Sequence, residues 1–383
     1  MNQKPKLLFL IMEDYFFYSH FIERAIAAKN GGFEVIVVAR EQFHGGIIRS
    51  FGLRFIAVQE GSRGIGFLKD IRFLLRILMI YRSEHPTIVH QIGTKPVLYG
   101  SVCAYFSGVH AVVNAPVGMG YIFSSSDYTA RFLRPLLRLA YRLLVNPRNS
   151  RVVFENKDDL VSFISWRAVR KKDAVLIRGA GVNINKFFFE KEPAGIPVVM
   201  LIARMLQDKG VNEFITAAHR LYDENIQARF VLVGAPDPIN PTSLTENMLH
   251  ALNGKKGVEW WGWVEDIVNV LRKAHIVCLP SYREGLPKSL LEAAACGLPI
   301  VTTDSVGCRE VVTNGDNGFL VPVRNVEVLV DALRKLIQDS ALRQRMGVRS
   351  RLKAEADFSS ERVINETLAV YSCLVSEMRV KAK

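Results

Sequence analysis

Two carboxylates and two cations carry the chemistry this chain offers. Glu284 and Glu292 lie in the run Ser281–Pro299, which follows an apolar strand-like segment and contains Gly285, Leu286, Pro287 and Lys288. Gly285 permits a tight turn, and Pro287 suits the first turn of a helix, where its missing N–H would be unbonded anyway. Loop and first-turn amides near Gly285, Leu286, Lys288 and Ser289, with the positive end of a helix dipole, make an anion site. Glu284 in the loop and Glu292 inside the helix stand at different heights, so they can touch different parts of one elongated ligand. The same spacing also suits a helix with one acid near its positive end and one solvated Glu. Arg204 and Lys209 follow another strand-like run, PVVMLIA. There they can converge on one anion, Arg204 through a bidentate fork and Lys209 as a point charge, or form salt bridges on a solvated turn.

Those residues need a scaffold that sets strand ends side by side. Short aliphatic runs alternate with helix-length amphipathic segments through both halves, the pattern of βαβ units and parallel sheets. The first half predicts strands near 6–11, 33–38, 54–58, 87–91, 111–114, 151–154 and 174–177, with long helices over 66–84 and 128–146. The second half predicts strands near 197–202, 228–233, 258–260, 276–280, 299–302 and 319–321, then helices to the end. The expected fold class is α/β: two tandem doubly wound, Rossmann-like domains facing a cleft. The predicted division is 1–186 and 187–358, with a terminal helix 359–383 returning to the first domain. Ligands of open α/β sheets bind beyond the carboxyl ends of the strands, where strand order reverses.

A length of 383 residues suits two domains. The formal charge of +13 points to an anionic partner. The excess is uneven: residues 1–190 hold 26 Lys and Arg against 14 Asp and Glu, and residues 191–383 hold 24 against 23. No zinc-finger spacing, RNP motif or basic zipper accompanies it, so no nucleic acid is expected. The five cysteines form no CxxC and are expected as buried thiols in a reducing cytoplasm, without disulfides or metal. The stretch Pro96–Ser126 lacks Asp, Glu, Lys and Arg but is punctuated by Gly100, Gly108, Gly118, Gly120 and Pro116, which argues against a membrane span.

Arg204-x4-Lys209 followed by Glu284-x7-Glu292, in the settings LIARMLQDKGVNEF and SYREGLPKSLLEAAACG, resembles the retaining GT-B glycosyltransferases of family 4, the group 1 transferases. The linker-like RGAGVNINKF at 178–187 is similar to theirs as well. In the first half, VHQIGTKPVLYG and VNAPVGMGYIFSS look like bacterial enzymes that extend undecaprenyl-diphosphate-linked sugars. The resemblance implies that Arg204 and Lys209 hold the diphosphate of a nucleotide sugar, Glu292 the ribose hydroxyls and Glu284 the transferred sugar. Trp263 and Val264 stand where relatives give the base a backbone contact. It further implies a UDP-sugar as substrate, a polyprenyl-diphosphate-linked acceptor, retention of configuration, and no metal or other cofactor.

The sequence departs from that family in its first half. The glycine-rich first βα loop is replaced by Glu13–His20, and a His contacting the donor sugar is absent from the loop Asn114–Gly120. His20, Lys95, Gly118 and Gly120 are the candidate acceptor-binding residues, with Lys95 suited to the acceptor's diphosphate. The helix over 128–146 carries Arg131, Arg134, Arg138 and Arg142 beside the apolar Phe132, Leu133, Leu136, Leu137, Leu139, Leu143 and Leu144, a pattern for an anionic membrane surface or for a core-facing helix with a solvated basic face. The expected location is cytoplasmic and peripheral, at the inner face of the plasma membrane. Rival readings are a relative of the same fold with a soluble acceptor or an epimerase activity, and a nucleic-acid-binding protein.

Overall fold

A computed structural model describes residues 4–59, 66–117 and 128–381. The chain forms two compact units, Met1–Ala180 with Glu361–Lys383, and Gly181–Ser360. The first contains β1 (Lys6–Glu13), β2 (Glu34–Arg40), β3 (Arg54–Ala57), β4 (Ile88–Ile92), β5 (Ala111–Ala115), β6 (Ser150–Phe154) and β7 (Ala174–Leu176). They form one parallel sheet in the order β3-β2-β1-β4-β5-β6-β7. Successive residues of β1 bury on opposite faces. Leu7, Phe9 and Ile11 pack with Phe17, Phe21 and Ala25 of the helix Asp14–Asn30. Leu8 and Leu10 pack with Phe73, Ile77 and Tyr81 of the helix Phe67–Glu84. This two-sided burial explains why the strand reads as a continuous apolar run.

The second unit contains β8 (Val198–Ile202), β9 (Arg229–Val233), β10 (Val258–Trp260), β11 (Ile276–Leu279), β12 (Ile300–Thr303) and β13 (Gly318–Val321), parallel in the order β10-β9-β8-β11-β12-β13. In each sheet the strand order reverses, between β1 and β4 and between β8 and β11. Those are the positions at which a doubly wound sheet opens a crevice for a ligand.

The boundary falls at 180/181 rather than at 186/187. Val182 is buried in the second core, its N–H donates to Phe358 O at 2.8 Å, and Ser360 N–H donates to Val182 O at 2.9 Å. These bonds tie the segment after Gly181 to the end of the second unit. The helix Ser360–Lys381 packs Val363, Val370, Tyr371 and Leu374 on the first sheet, where Tyr371 OH lies 2.7 Å from His90 Nδ1. Among the described residues no helix is long and apolar enough to cross a membrane.

Candidate functional site

Backbone packing first brings the loops after β8 and β11 together. Gly210 has φ 75°, and a Cβ there would sit 2.2 Å from Pro280 O. Only glycine lets the loop lie this close against the end of β11. Lys209, in the 3₁₀ turn Gln207–Lys209, thereby reaches Glu284: its Nζ is 2.5 Å from Oε1 and 2.7 Å from Oε2. Ser281 Oγ lies 2.7 Å from Glu284 Oε1 and 3.1 Å from Asp208 O, and Tyr282 N–H donates to Asp208 O at 2.9 Å.

A third loop braces the backbone that carries this carboxylate. Glu284 N–H donates to Val306 O at 3.0 Å, and Gly307, with φ 80°, leaves only 2.5 Å between the position of a Cβ and the carbonyl oxygens of Glu284 and Gly285. Ser305 Oγ and Thr303 Oγ1 both donate to Ser281 O. Glu284 is therefore held by residues following β8, β11 and β12, at the carboxyl ends of three adjacent strands.

Arg204 and Lys209 pair with different acids. Arg204 Nη1 lies 2.5 Å from Asp237 Oδ2, in the loop after β9, and the Arg204 side chain is 49% exposed. Each cation is thus neutralised by its own acid from another strand end. Pro287 occupies the cap position before the helix Lys288–Ala295 and lies outside its first turn. Glu292 is buried in that helix, with Lys288 Nζ 3.5 Å from its Oε1. Burial pushes its carboxyl above the ordinary range, while Lys288 and then Lys186 pull it back. Leu286 is buried in the core of the second unit.

Of the two candidates after β10, Val264 packs on the core and Trp263 is 70% exposed. Trp260 Nε1 donates to Gly234 O at 2.9 Å and Gly234 N–H donates to Gly262 O at 2.7 Å, tying that loop to the end of β9. Sequence reasoning missed Asp237, Ser281 and Gly307. Their only signal was position, a small or acidic residue just past a strand, which many solvated loops share.

In the first unit, His20 lies near the start of the helix Asp14–Asn30, in its second turn. Its ring lies tilted against Phe16 with centroids 4.2 Å apart, and its Nδ1 is 2.7 Å from Ser19 Oγ. Lys95 lies in the first turn of the helix Thr94–Phe106 at the carboxyl end of β4, where its Nζ is 2.7 Å from Asp70 Oδ1. Asp14, not singled out beforehand, is buried at the end of β1, and its Oδ2 accepts from the backbone N–H groups of Gln42, Phe43 and His44 at 2.8, 3.0 and 2.8 Å. Gly118 and Gly120 lie outside the described residues. Among the described residues there is no group of three His, Cys, Asp or Glu able to hold a metal ion.

Two family models match this chain: "Glycosyl transferases group 1" over residues 183–353 and "Glycosyl transferase 4-like" over residues 6–156. A relative from Campylobacter jejuni, N,N'-diacetylbacillosaminyl-diphospho-undecaprenol alpha-1,3-N-acetylgalactosaminyltransferase, is 28% identical over 83% of this chain and 85% of its own length. The UDP-Gal:alpha-D-GlcNAc-diphosphoundecaprenol alpha-1,3-galactosyltransferase of Escherichia coli is 26% identical over 76% of each chain. In three dimensions the chain is similar to a sucrose-phosphate synthase from Thermosynechococcus elongatus, with a TM-score of 0.81 at 18% identity, covering 98% of this chain and 100% of that one.

Proposed function

Since the chain belongs to the group 1 glycosyltransferases and has their two-domain GT-B architecture, we propose that it moves an N-acetylhexosamine from UDP onto a polyprenyl-diphosphate-linked sugar during assembly of a bacterial surface glycan. The observation that carries this reading is Lys209 set against Glu284 past the carboxyl ends of β8 and β11, where the strand order reverses. The two relatives named for diphospho-undecaprenol acceptors support the choice of acceptor.

Departure of UDP leaves an oxocarbenium-like sugar and growing negative charge on the β-phosphate. Lys209 has three N–H donors, and two oxygens of Glu284 leave one for a phosphate oxygen. Arg204 meets Asp237 through Nη1, and its half-exposed fork has further donors to offer. Amides of Gly285, Leu286 and Lys288 add to this field, so the scheme supplies its positive charge without a metal. Glu284 accepts from the sugar's hydroxyls, Glu292 from the ribose, and Trp263 with Val264 borders the base. The bond from the anomeric carbon to the phosphate oxygen breaks, the acceptor oxygen attacks from the same face, and its proton passes to the departing phosphate. A trapped glycosyl-enzyme adduct would refute that route.

The acceptor belongs to the basic first unit in this reading, with Lys95 and His20 beside β4 and β1 and with Gly118 and Gly120 nearby in the sequence. Helix Tyr128–Leu144 rests on the inner face of the plasma membrane. Its outward Phe132, Leu136, Leu139 and Leu143 stand beside exposed Arg131, Arg138 and Arg142, whereas Leu137 and Tyr141 turn inward.

The deciding experiment is a panel of UDP-, GDP- and dTDP-sugars offered with a short polyprenyl-diphosphate sugar, with and without a chelator. Transfer from a UDP-N-acetylhexosamine, unchanged by the chelator, is the expected result. Transfer only to a water-soluble acceptor would replace this reading with that of a soluble-acceptor enzyme.

A further inference from the structure

The helix Phe67–Glu84 has an outward face that the catalytic scheme does not use. Its inward residues Phe73, Ile77, Ile80 and Tyr81 are buried on the first sheet. On the opposite side Leu68, Ile71, Leu75 and Met79 are exposed, one apolar side chain per turn. Lys69, Arg72, Arg76 and Arg82 are exposed beside them, and the two acids of the helix are taken up elsewhere, Asp70 by Lys95 and Glu84 by Arg54. Among the described residues neither Arg72 nor Arg76 has a hydrogen-bond or ion-pair partner. Both line a concavity of about 470 Å³ at the carboxyl end of β3, together with Leu75, Met79, Ala57 and Gln59.

This face does not stand alone. The helix Thr94–Phe106 packs beside Phe67–Glu84, with Cys103 Sγ 3.3 Å from Leu74 O and Arg82 Nη2 donating to Phe106 O at 3.4 Å. On its other side Tyr141 OH donates to Thr94 Oγ1 at 3.1 Å, so the helix Tyr128–Leu144 lies on the same side of the sheet. The central helix ends in Tyr105 and Phe106, which are 81% and 62% exposed. Apolar ribbons edged by arginines, with aromatic side chains between them, are too extensive for an ordinary solvated face. Unpaired cations next to apolar side chains fit one amphiphile, an anionic phospholipid.

We propose that Phe67–Glu84 is a second membrane-binding helix, and that the concavity bearing Arg72 and Arg76 takes the phosphate of an anionic phospholipid while Leu68, Ile71, Leu75 and Met79 enter the acyl boundary. The bilayer is then gripped by two helices rather than by Tyr128–Leu144 alone. The proposal rests on the reading above only in that the enzyme works at a membrane.

The test is flotation of the full chain with phosphatidylglycerol and phosphatidylcholine vesicles. At roughly fivefold per cation near an anionic surface, Arg72→Gln with Arg76→Gln is expected to weaken partitioning onto phosphatidylglycerol about 25-fold. Leu75→Ser with Met79→Ser is expected to weaken it on both lipids. Turnover with a short water-soluble acceptor is measured in parallel and is expected to stay at the wild-type level in all four substitutions. Wild-type flotation of both double variants would overturn the proposal, as would calorimetric binding of glycerol 3-phosphate without vesicle binding. Absence of transfer in the wild-type chain would strike the catalytic reading and leave the flotation result standing.

Discussion

Lys209 and Glu284 stand 75 residues apart in the chain, yet the Lys209 ammonium lies 2.5 and 2.7 Å from the two carboxylate oxygens of Glu284. The pair is mostly enclosed, with side chains 20% and 11% exposed. It presets both groups before any ligand arrives, which lowers the cost of ordering them around a diphosphate.

Lys209→Met should lower kcat by roughly 100- to 1000-fold, the usual loss for one preorganised donor to developing negative charge. Arg204→Ala should act in the same direction. Steady-state kinetics with circular dichroism checks both, and near wild-type turnover in a folded variant would sink the diphosphate assignment.

Gly307→Ala reaches the site through the backbone. The new Cβ would meet the carbonyl oxygens of Glu284 and Gly285 at 2.5 Å, and a positive φ of 80° adds roughly 1–2 kcal/mol for any residue with a Cβ. We expect a folded protein with a lower melting temperature and a kcat reduced more than tenfold, because the Glu284 loop must move. A melting shift with unchanged kcat would show that the loop tolerates displacement.

Glu292→Gln separates stability from binding. Burial raises the carboxyl above its ordinary 4.5, so the unfolded chain ionises at lower pH than the folded one. Ionisation therefore favours unfolding, and wild-type stability relative to Glu292→Gln declines as pH rises from about 4.5 through the raised value. Thermal melts at pH 5 and pH 8 should show the variant gaining on wild type at the higher pH, while its KM for the donor rises. A variant that falls further behind at pH 8 would contradict the burial effect.

His90 supplies the opposite slope. Burial, aided by the charge of Arg24, pushes its imidazole from 6.5 down to about 3. Between those values the unfolded chain binds a proton that the folded chain excludes, so stability falls as pH drops from 6.5 toward 3. His90→Gln should flatten the pH dependence of the melting temperature in that window. A parallel wild-type and variant profile would mean that His90 protonates in the folded state.

All thirteen strands among the described residues were legible, because alternation and apolar runs are local and survive in any context. The helix Tyr128–Leu144 was legible as an amphipathic stripe, but which of its leucines turn inward depends on packing against Phe163 and Thr94. The sequence by itself determined which side chains end up at strand ends: Arg204, Lys209, Glu284 and, in the following helix, Glu292. Only the tertiary structure decided their partners. It gave Lys209 to Glu284 and Arg204 to Asp237, set Gly307 behind the Glu284 loop, and moved residues 181–186 into the second unit through Val182. These pairings follow from the order of the strands, in which β8 lies between β9 and β11. Local periodicity specifies that a residue is on a strand end, but the neighbour across the crevice is set by long-range sheet order and by the glycines that let loops approach.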